Sequence, residues 1–414
     1  MQHFTTQEKL KHLLGFPVII AALGYFVDIY DLLLFGIVRI PSLESMGLDA
    51  DKVGTMIINS QMIGLLLGGI LWGVFGDKKG RLSVLFGSIL VYSLANIACG
   101  FLPQMNFADK GTIYAVLRFI AGVGLAGELG AGITLVSETL PKELRALGTS
   151  LVAGFGLLGA VVAQLTVELS SNWTSSYFIG GGLGLILLVL RISVAESDIY
   201  RDVKNDKSIK RGDFLCLFTN KTRFVKYIKS IFIGIPIWFS TGILIMMANQ
   251  FAPELGIESL NPGKAIMWSY IGASIGDFAS GFISHALYSR KKTILYMMLF
   301  SIIGIVLLLS GVAKSENMYY FLCLWIGLGN GYWAMFVTLA AEQFGTNIRS
   351  TAATTVPNMV RGTLVIMLLS FNFLKHNNSV IISACIVGVI VFGIAIYSVL
   401  TISETHNKDM DFVE

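Results

Sequence analysis

Long apolar stretches recur along the whole chain, and shorter polar segments separate them. A helix needs about 20 apolar residues to cross the hydrocarbon core of a bilayer. Stretches of that order fall at about 14–37, 53–75, 82–102, 112–139, 146–169, 174–194, 226–250, 264–288, 293–313, 317–341, 352–373 and 379–402. The pattern therefore predicts an all-α membrane protein with twelve transmembrane helices, called spans 1 to 12 below.

The polar segment between spans 6 and 7 is longer and more basic than the other loops. Residues 196–225 contain seven Lys and Arg residues. We interpret this segment as a cytoplasmic linker between an N-terminal six-helix bundle at 1–195 and a C-terminal six-helix bundle at 226–414.

The two halves also resemble each other in sequence. The segment after span 4 reads SETLPKELR (137–145), and the segment after span 10 reads AEQFGTNIR (341–349). In this comparison Glu138 corresponds to Glu342, and Arg145 corresponds to Arg349. Parallel six-helix repeats around a site at the middle of the membrane are a known plan of transporters, so the repeat predicts two pseudo-symmetric bundles.

Composition agrees with a membrane environment and excludes several classes of protein. Hydrophobic residues make up 54% of the chain and charged residues 14%, whereas soluble domains are about 25% charged. The four cysteines lie far apart, and the sequence contains no Walker loop, HExxH or GxSxG motif. We therefore expect no enzyme activity, no cofactor, no metal and no ATP-driven pump within this chain.

Basic residues predict the orientation of the chain. With a cytoplasmic N-terminus, 22 of the 30 Lys and Arg residues fall in cytoplasmic segments or helix ends. This bias favours an inner or plasma membrane protein with both termini in the cytoplasm, and it accounts for the basic linker without nucleic-acid binding.

A glycine-rich turn between spans 2 and 3 is more specific than this general pattern. Residues 73–81 read GVFGDKKGR, which resembles the GxxxDxxGR signature loop of the major facilitator superfamily. The C-terminal counterpart, GFISHALYSRKK (281–292), has His285 in place of the acid. The resemblance implies gating by loop residues of both halves, namely Gly73, Asp77, Gly80, Arg81, Glu138, Arg145, Glu342 and Arg349.

Two further stretches resemble particular branches of that superfamily. Span 1 contains GYFVDIYDLLLFG (24–36), and span 4 contains RFIAGVGLAGELGAG (118–132). Both are similar to metabolite:proton symporters and to sugar porters. The sugar porters pair an Asp of span 1 with an Arg of span 4, which here implies Asp31 and Arg118.

Six charged residues lie deep inside predicted spans, away from the ends: Asp28, Asp31, Arg118, Glu128, Asp277 and Arg361. A charge at the middle of a membrane costs about 2.5–3.5 kcal/mol on insertion scales. These groups must therefore face a wet cavity, form pairs or, for the acids, be protonated. Pairing between helices without a functional role is the alternative for each of them.

The acids of the N-terminal half predict proton coupling. Asp28 and Asp31 are three residues apart, so they share a helical face. Asp31 is predicted to bind Arg118 when ionised and to release it when protonated, and Asp28 is the second candidate for the proton. Glu128 is expected to contact the substrate, a proton or both.

The C-terminal half supplies most of the predicted substrate site. Asp277 and Arg361 are expected at similar depths, where they form either a structural ion pair or part of the site. The fork of an arginine matches a carboxylate or phosphate. The predicted substrate-binding residues are Glu128, Arg361, Asn330, Asn358, Trp333, Tyr332 and Trp238, for which helix packing is the alternative.

The sequence thus predicts a monomeric secondary transporter that imports a small polar metabolite, most simply an organic acid, together with protons. A sugar or amino-acid-like solute is the alternative substrate. A proton/drug exporter is less favoured, because span 5 reads GFGLLGAVVAQ (154–164) without the Gly-Pro pair of such exporters. A receptor or scaffold without transport is the remaining alternative.

Overall fold

A computed structural model describes residues 11–141, 144–170, 172–191, 214–345 and 347–406. Within these ranges the side chains of Asp77, Arg81, Leu82, Thr134, Ser137, Glu138, Ala146 and Ser350 are outside the description. The described chain is helical, and its long helices follow the apolar pattern of the sequence.

Six spans form the N-terminal half. They are span 1 (Phe16–Ser45), span 2 (Lys52–Lys79), span 3 (Arg81–Phe101), span 4 (Lys110–Leu125 and Glu128–Thr139), span 5 (Arg145–Leu169) and span 6 (Trp173–Leu190). Span 1 extends eight residues beyond its predicted end because Pro41 is accommodated inside the helix.

Six more spans form the C-terminal half. They are span 7 (Lys221–Phe239, a π-helical turn at Ser240–Ile245, and Ala248–Leu255), span 8 (Pro262–Leu287), span 9 (Arg290–Leu309), span 10 (Glu316–Asn330 and Trp333–Glu342), span 11 (Arg349–Leu374) and span 12 (Val380–Thr401). Span 7 begins at Lys221, within the segment predicted as linker, and a short helix, Cys216–Thr219, precedes it. The rest of that predicted linker up to residue 213 lies outside the described residues.

Eleven of the described helical segments are long and apolar enough to cross a membrane. Span 8 is the twelfth: its 26 residues are sufficient in length, but they are rich in glycine and serine. Large apolar side chains such as Val389 and Ile366 are exposed on the outer surface of the bundle. The twelve-helix prediction is confirmed.

Spans 4 and 10 are each interrupted near the middle, at corresponding places in the two halves. The first helix of span 4 ends at Leu125 and the second begins at Glu128, while the break in span 10 separates Asn330 from Trp333. At Gly331 an added Cβ would collide with the backbone of span 8, so glycine is needed for this close approach. The breaks place polar groups at mid-membrane depth in both halves.

The two halves contact each other along several pairs of spans. Span 2 packs on span 11 and span 5 on span 8. The Ser274 hydroxyl donates to the carbonyl oxygen of Gly154 across this interface at 2.6 Å. The amide of Asn358 donates to the carbonyl oxygen of Ala126, at the break in span 4, at 2.8 Å. The interface is therefore both apolar and polar, and it encloses the cavity described next.

A central polar site between the two halves

A small cavity lies between the halves and is lined by residues of both. About 20 Å³ is accessible to the centres of water molecules, which is room for one or two waters. Its walls are formed by Tyr25, Ile29, Leu157, Ile237, Trp238, Thr241, Ser269, Tyr270, Ala273, Asn330, Trp333 and Arg361. Hydrogen bonds between the halves are present on both sides of the cavity.

Arg361 of span 11 is the charged residue in the cavity wall. One terminal nitrogen donates to Asn358 Oδ1 at 3.2 Å, and the other lies 3.9 Å from Asp28 Oδ2. The guanidinium carbon is 5.6 Å from the ring centre of Trp333, within cation–π range. Its Nε makes no hydrogen bond. A guanidinium has five N–H donors, so Arg361 retains donors for a ligand.

The two acids of span 1 have different surroundings. Both are fully buried, and neither carboxylate makes a hydrogen bond of ordinary geometry. Asp28 faces Arg361 of the C-terminal half. Asp31 instead lies against Gly180 of span 6, inside the N-terminal half. The sequence places both acids on one side of the helix, but each contacts a different neighbour.

Arg118 lies beside Asp31 but does not form an ion pair with its carboxylate. The guanidinium donates to Gln61 Oε1 at 3.1 Å, to Asn96 Oδ1 at 2.6 Å and to the main-chain carbonyl of Asp31 at 2.9 Å. The ring of Tyr177 lies 5.7 Å from its guanidinium carbon. Amide and carbonyl oxygens therefore bind this cation, and the Asp31–Arg118 switch stays a prediction.

Glu128 forms a buried ion pair that the sequence analysis did not anticipate. Both carboxylate oxygens accept from Arg191 at the end of span 6: NH1 binds Oε2 at 2.8 Å, and NH2 binds Oε1. Both side chains are essentially inaccessible. Gly24 provides the space, because an added Cβ there would overlap both partners. Glu128 does not line the cavity, so the prediction that it contacts substrate stays untested.

Arg191 was counted with the basic residues at the cytoplasmic helix ends, and no sequence signal distinguishes it from them. The helix of span 6 ends at Leu190, and the side chain of Arg191 also donates to the carbonyl oxygen of Ile20 at 3.3 Å. Only its position in the packed bundle, next to span 1 and span 4, reveals its partner.

Asp277 does not pair with Arg361, in contrast to one of the two predicted alternatives. Its Oδ1 accepts the main-chain N–H of Ala334 at 3.0 Å, at the start of the second helix of span 10. That helix lacks a capping side chain of its own. Asp277 therefore caps it from span 8 by accepting a hydrogen bond from a free N–H group of its first turn.

The other predicted substrate-binding residues divide into two groups. Trp238, Asn330 and Trp333 line the cavity with Arg361. Tyr332 does not; its hydroxyl donates to the carbonyl of Ile233 at 3.1 Å. Asn358 also lies outside the wall, where it orients Arg361.

Further polar residues of the wall were not predicted. They are Tyr25, Thr241, Ser269 and Tyr270. Their sequence context is that of ordinary membrane helices, so only packing identifies them.

The predicted gating residues lie on the termini face, defined here as the side where span 1 begins and span 12 ends. Glu342 accepts two hydrogen bonds from Arg290, at 2.6 and 2.7 Å. Arg349 is buried, and Arg145 Nε donates to the carbonyl of Leu140 at 3.2 Å. The side chains of Asp77, Arg81 and Glu138 lie outside the described part of the structure, so their gating roles stay predictions.

The signature turn and its counterpart in the C-terminal half both end a helix with a residue of positive φ. Gly80 ends span 2 with φ of 109°, and Tyr288 ends span 8 with φ of 49°. The carbonyl of Gly73 accepts a hydrogen bond of 3.4 Å from Thr351 of the other half. The turn therefore lies where the two halves touch on the termini face.

A second polar network joins the halves on the far face, opposite the termini. Arg39 of span 1 is fully buried and donates to Asp51 Oδ1 at 3.0 Å and to Asn249 Oδ1 of span 7 at 2.7 Å. Gln250 donates to Asp51 at 3.2 Å and accepts from Lys375 at 2.7 Å. Arg39 lies just beyond the predicted end of span 1 at residue 37, so the sequence does not indicate that it is buried.

No group of three or more metal-binding side chains was found among the described residues. The cavity instead combines a buried cation, aromatic rings and a few amides and hydroxyls at the seam of two helical bundles. Such a site in a twelve-helix membrane protein defines a transporter of small molecules.

Comparison with known proteins identifies the family. The sequence model of the Major Facilitator Superfamily matches residues 21–362, and the chain belongs to this family. It is 24% identical over 415 residues to a gentisate transporter of Corynebacterium glutamicum, covering 94% of this chain and 89% of that one. It is 24% identical over 372 residues to a benzoate transport protein of Acinetobacter baylyi, covering 81% and 78%.

The fold is also that of a solved member of the family. The crystal structure of the transporter FucP in its outward conformation superimposes with a TM-score of 0.65, and that of a variant of FucP, the E. coli fucose:proton symporter, superimposes with a TM-score of 0.67. The first of these alignments covers 95% of this chain and all of FucP at 13% identity. The likeness supports the architecture of twelve helices in two bundles.

Proposed function

We propose that this protein is a proton-coupled symporter that imports a small organic acid through the central cavity. The observation that carries the proposal is Arg361: a buried guanidinium in the wall of a cavity between the two halves, with donors left for a ligand. A buried cation of this kind is costly unless it binds an anion, which makes a substrate carboxylate its natural partner.

The walls of the cavity suit the rest of such a substrate. Trp333 and Trp238 present aromatic surfaces, and Tyr25 and Tyr270 add rings with polar tips. Aromatic side chains of this kind stack on a planar ring, and their polar ends hydrogen-bond to its substituents. Two relatives are named for gentisate and benzoate, so an aromatic or similarly sized carboxylic acid is the substrate class that we favour.

Transport would proceed by alternating access of the two bundles. The far-face network around Arg39 and the termini-face contacts around Gly73 each join the halves. Opening one set while the other stays closed would expose the cavity to one side at a time. We propose that a single chain carries out this mechanism in a cytoplasmic membrane, with both termini inside the cell.

Protons would enter through the acids of span 1. Asp28 and Asp31 are buried without hydrogen-bond partners for their carboxylates. A buried carboxylate is stable in its ionised form only beside a cation and otherwise takes up a proton, so both acids are suited to carry one. The Asp31–Arg118 switch and the Asp28–Arg361 contact are the two routes by which that proton could be coupled to movement or binding.

Uptake by the purified full chain in proteoliposomes tests the proposal. Radiolabelled benzoate and gentisate should accumulate when the outside is acidified, and a protonophore should abolish the accumulation. Arg361→Ala should abolish uptake, and Arg361→Lys should recover little of it because a lysine lacks the bidentate fork.

Uptake of fucose but not of benzoate or gentisate would show that the substrate is a sugar and not an organic acid. Accumulation that is unaffected by the protonophore would replace symport with facilitated diffusion or another coupling ion.

A further inference from the structure

We infer that Asp28 and the substrate carboxylate occupy Arg361 alternately, so that binding of the acid anion drives one proton onto Asp28. The inference rests on the proposed function and specifies which of the buried acids is linked to substrate. Its basis is the contact between Asp28 and Arg361, which crosses from one half to the other.

The geometry places Arg361 between two acceptors. Arg361 lines the cavity, whereas Asp28 does not. The closest approach of the two side chains is 3.9 Å, longer than a hydrogen bond, and neither carboxylate oxygen of Asp28 has a hydrogen-bond partner. The guanidinium is thus held near Asp28 without being bound tightly to it, and its remaining donors are available to a ligand.

Asn358 fixes the guanidinium in this position. Its oxygen accepts from Arg361 at 3.2 Å, and its amide donates to the carbonyl of Ala126 at 2.8 Å. Arg361 is therefore held with Asp28 on one side and the cavity on the other.

The charged groups around Asp28 explain why binding of the substrate anion requires uptake of a proton. The charged groups that act on Asp28 are Arg361 of span 11, Glu128 of span 4, Asp31 on its own span and Arg191 at the end of span 6. Glu128 and Arg191 neutralise each other in a bidentate pair. Arg118, next to Asp31, is bound by Gln61, Asn96 and a main-chain carbonyl.

Arg361 is then the cation that balances Asp28. A substrate carboxylate on Arg361 would leave an ionised Asp28 buried beside a second anion, and the described residues around Asp28 offer no further unpaired cation to balance it. Two carboxylates that close cannot both stay ionised in a medium of low dielectric constant. A proton taken from solution onto a carboxylate oxygen of Asp28 keeps the charge of the site constant, and release of the substrate returns that proton.

Titration calorimetry of the purified full chain in nanodiscs tests the exchange, with benzoate as the probe. Measurements in two buffers of different ionisation enthalpy give the number of protons taken up per benzoate. We expect about one proton in the wild type, with Kd rising about tenfold per pH unit where Asp28 is ionised before binding. Asp28→Asn should still bind benzoate, with proton uptake near zero and a Kd that no longer depends on pH.

Three controls make the result specific. Asp277→Asn changes another buried acid, which caps span 10 and does not face Arg361, and it should keep the proton uptake. Benzamide, a neutral probe of similar shape, should bind without proton uptake. Infrared difference spectra of the wild type should show a new protonated-carboxyl band on benzoate addition, a readout that does not depend on any variant being well folded.

The outcomes separate this inference from the proposed function. The exchange is overturned if Asp28→Asn keeps the proton uptake, if Asp31→Asn alone removes it, or if the wild type binds benzoate without a proton. If neither benzoate nor gentisate binds or is transported by the wild type, the organic-acid function itself fails and the exchange fails with it.

Discussion

Spans 4 and 10 are corresponding helices of the two halves, and each is interrupted at mid-membrane depth. At the break in span 4, Glu128 is neutralised by Arg191 through two hydrogen bonds. At the break in span 10, Trp333 and Asn330 face the cavity, and the acid comes from span 8 as Asp277. The same kind of helix break therefore lies beside an ion pair in the N-terminal half and beside the cavity wall in the C-terminal half.

The comparison extends to the arginines of the two halves. Within the N-terminal half, Arg118 donates to Asn96 and other oxygen acceptors, and Arg191 pairs with Glu128. Arg361 has one hydrogen bond to an amide oxygen and a distant carboxylate. The two halves therefore use their buried arginines differently: those of spans 4 and 6 are bound within the N-terminal bundle, whereas that of span 11 retains donors for a ligand.

The largest effect should follow from breaking the ion pair of the N-terminal half. Arg191→Ala leaves Glu128 buried and unpaired, and removal of one partner of a buried pair costs about 3–5 kcal/mol. The apparent melting temperature in detergent should fall clearly. The double variant Glu128→Gln, Arg191→Met should recover most of this loss, because it removes both charges together.

Arg361→Ala is the matched comparison in the C-terminal half. Its stability loss should be smaller than that of Arg191→Ala, while benzoate binding disappears. Equal stability losses for the two variants would remove the distinction between a structural pair and a binding cation.

An intermediate effect is expected at Asp277. Asp277→Ala removes the acceptor for the Ala334 N–H, and loss of a helix cap costs about 0.5–2 kcal/mol. Asp277→Asn retains an acceptor oxygen and should be close to wild type in melting temperature. A substrate role for Asp277 would be indicated if Asn substitution abolished benzoate binding without changing stability.

The smallest effect is expected at the far-face network. Partial burial alone would raise the pKa of Asp51, but hydrogen bonds from Arg39 and Gln250 outweigh it and hold the pKa below its usual value. The contribution of a carboxylate with a lowered pKa is fully present above its usual pKa and is lost as the pH falls through the lowered one. This network should therefore be unchanged between about pH 5 and 8.

Asp51→Asn should consequently leave the pH profile of uptake unaltered in that range. A modest rise in labelling of a cysteine placed in the cavity wall would report weaker closure of the far face. A shifted pH profile in this variant would show that the network, and not the acids of span 1, senses the proton.

The sequence alone determined the parts of this protein that depend on local composition. Runs of about 20 apolar residues specify membrane helices wherever they occur, because an unpaired backbone is intolerable in lipid. The signature turn at 73–81 and the acids of span 1 could be recognised because a charged residue or a glycine motif stands out among apolar residues. Arg361, Trp333, Asn330 and Trp238 were predicted in this way, and they line the cavity.

Only the tertiary structure decided which of these groups meet. Asp28 contacts Arg361 across 333 positions of chain, and Glu128 contacts Arg191 across 63. Pairing at such separations depends on how helices rotate and cross, and no helical period in the sequence encodes it. Arg191 and Arg39 resemble ordinary basic residues near helix ends until packing buries them, because the cost of burying a charge is set by neighbours that come from distant spans.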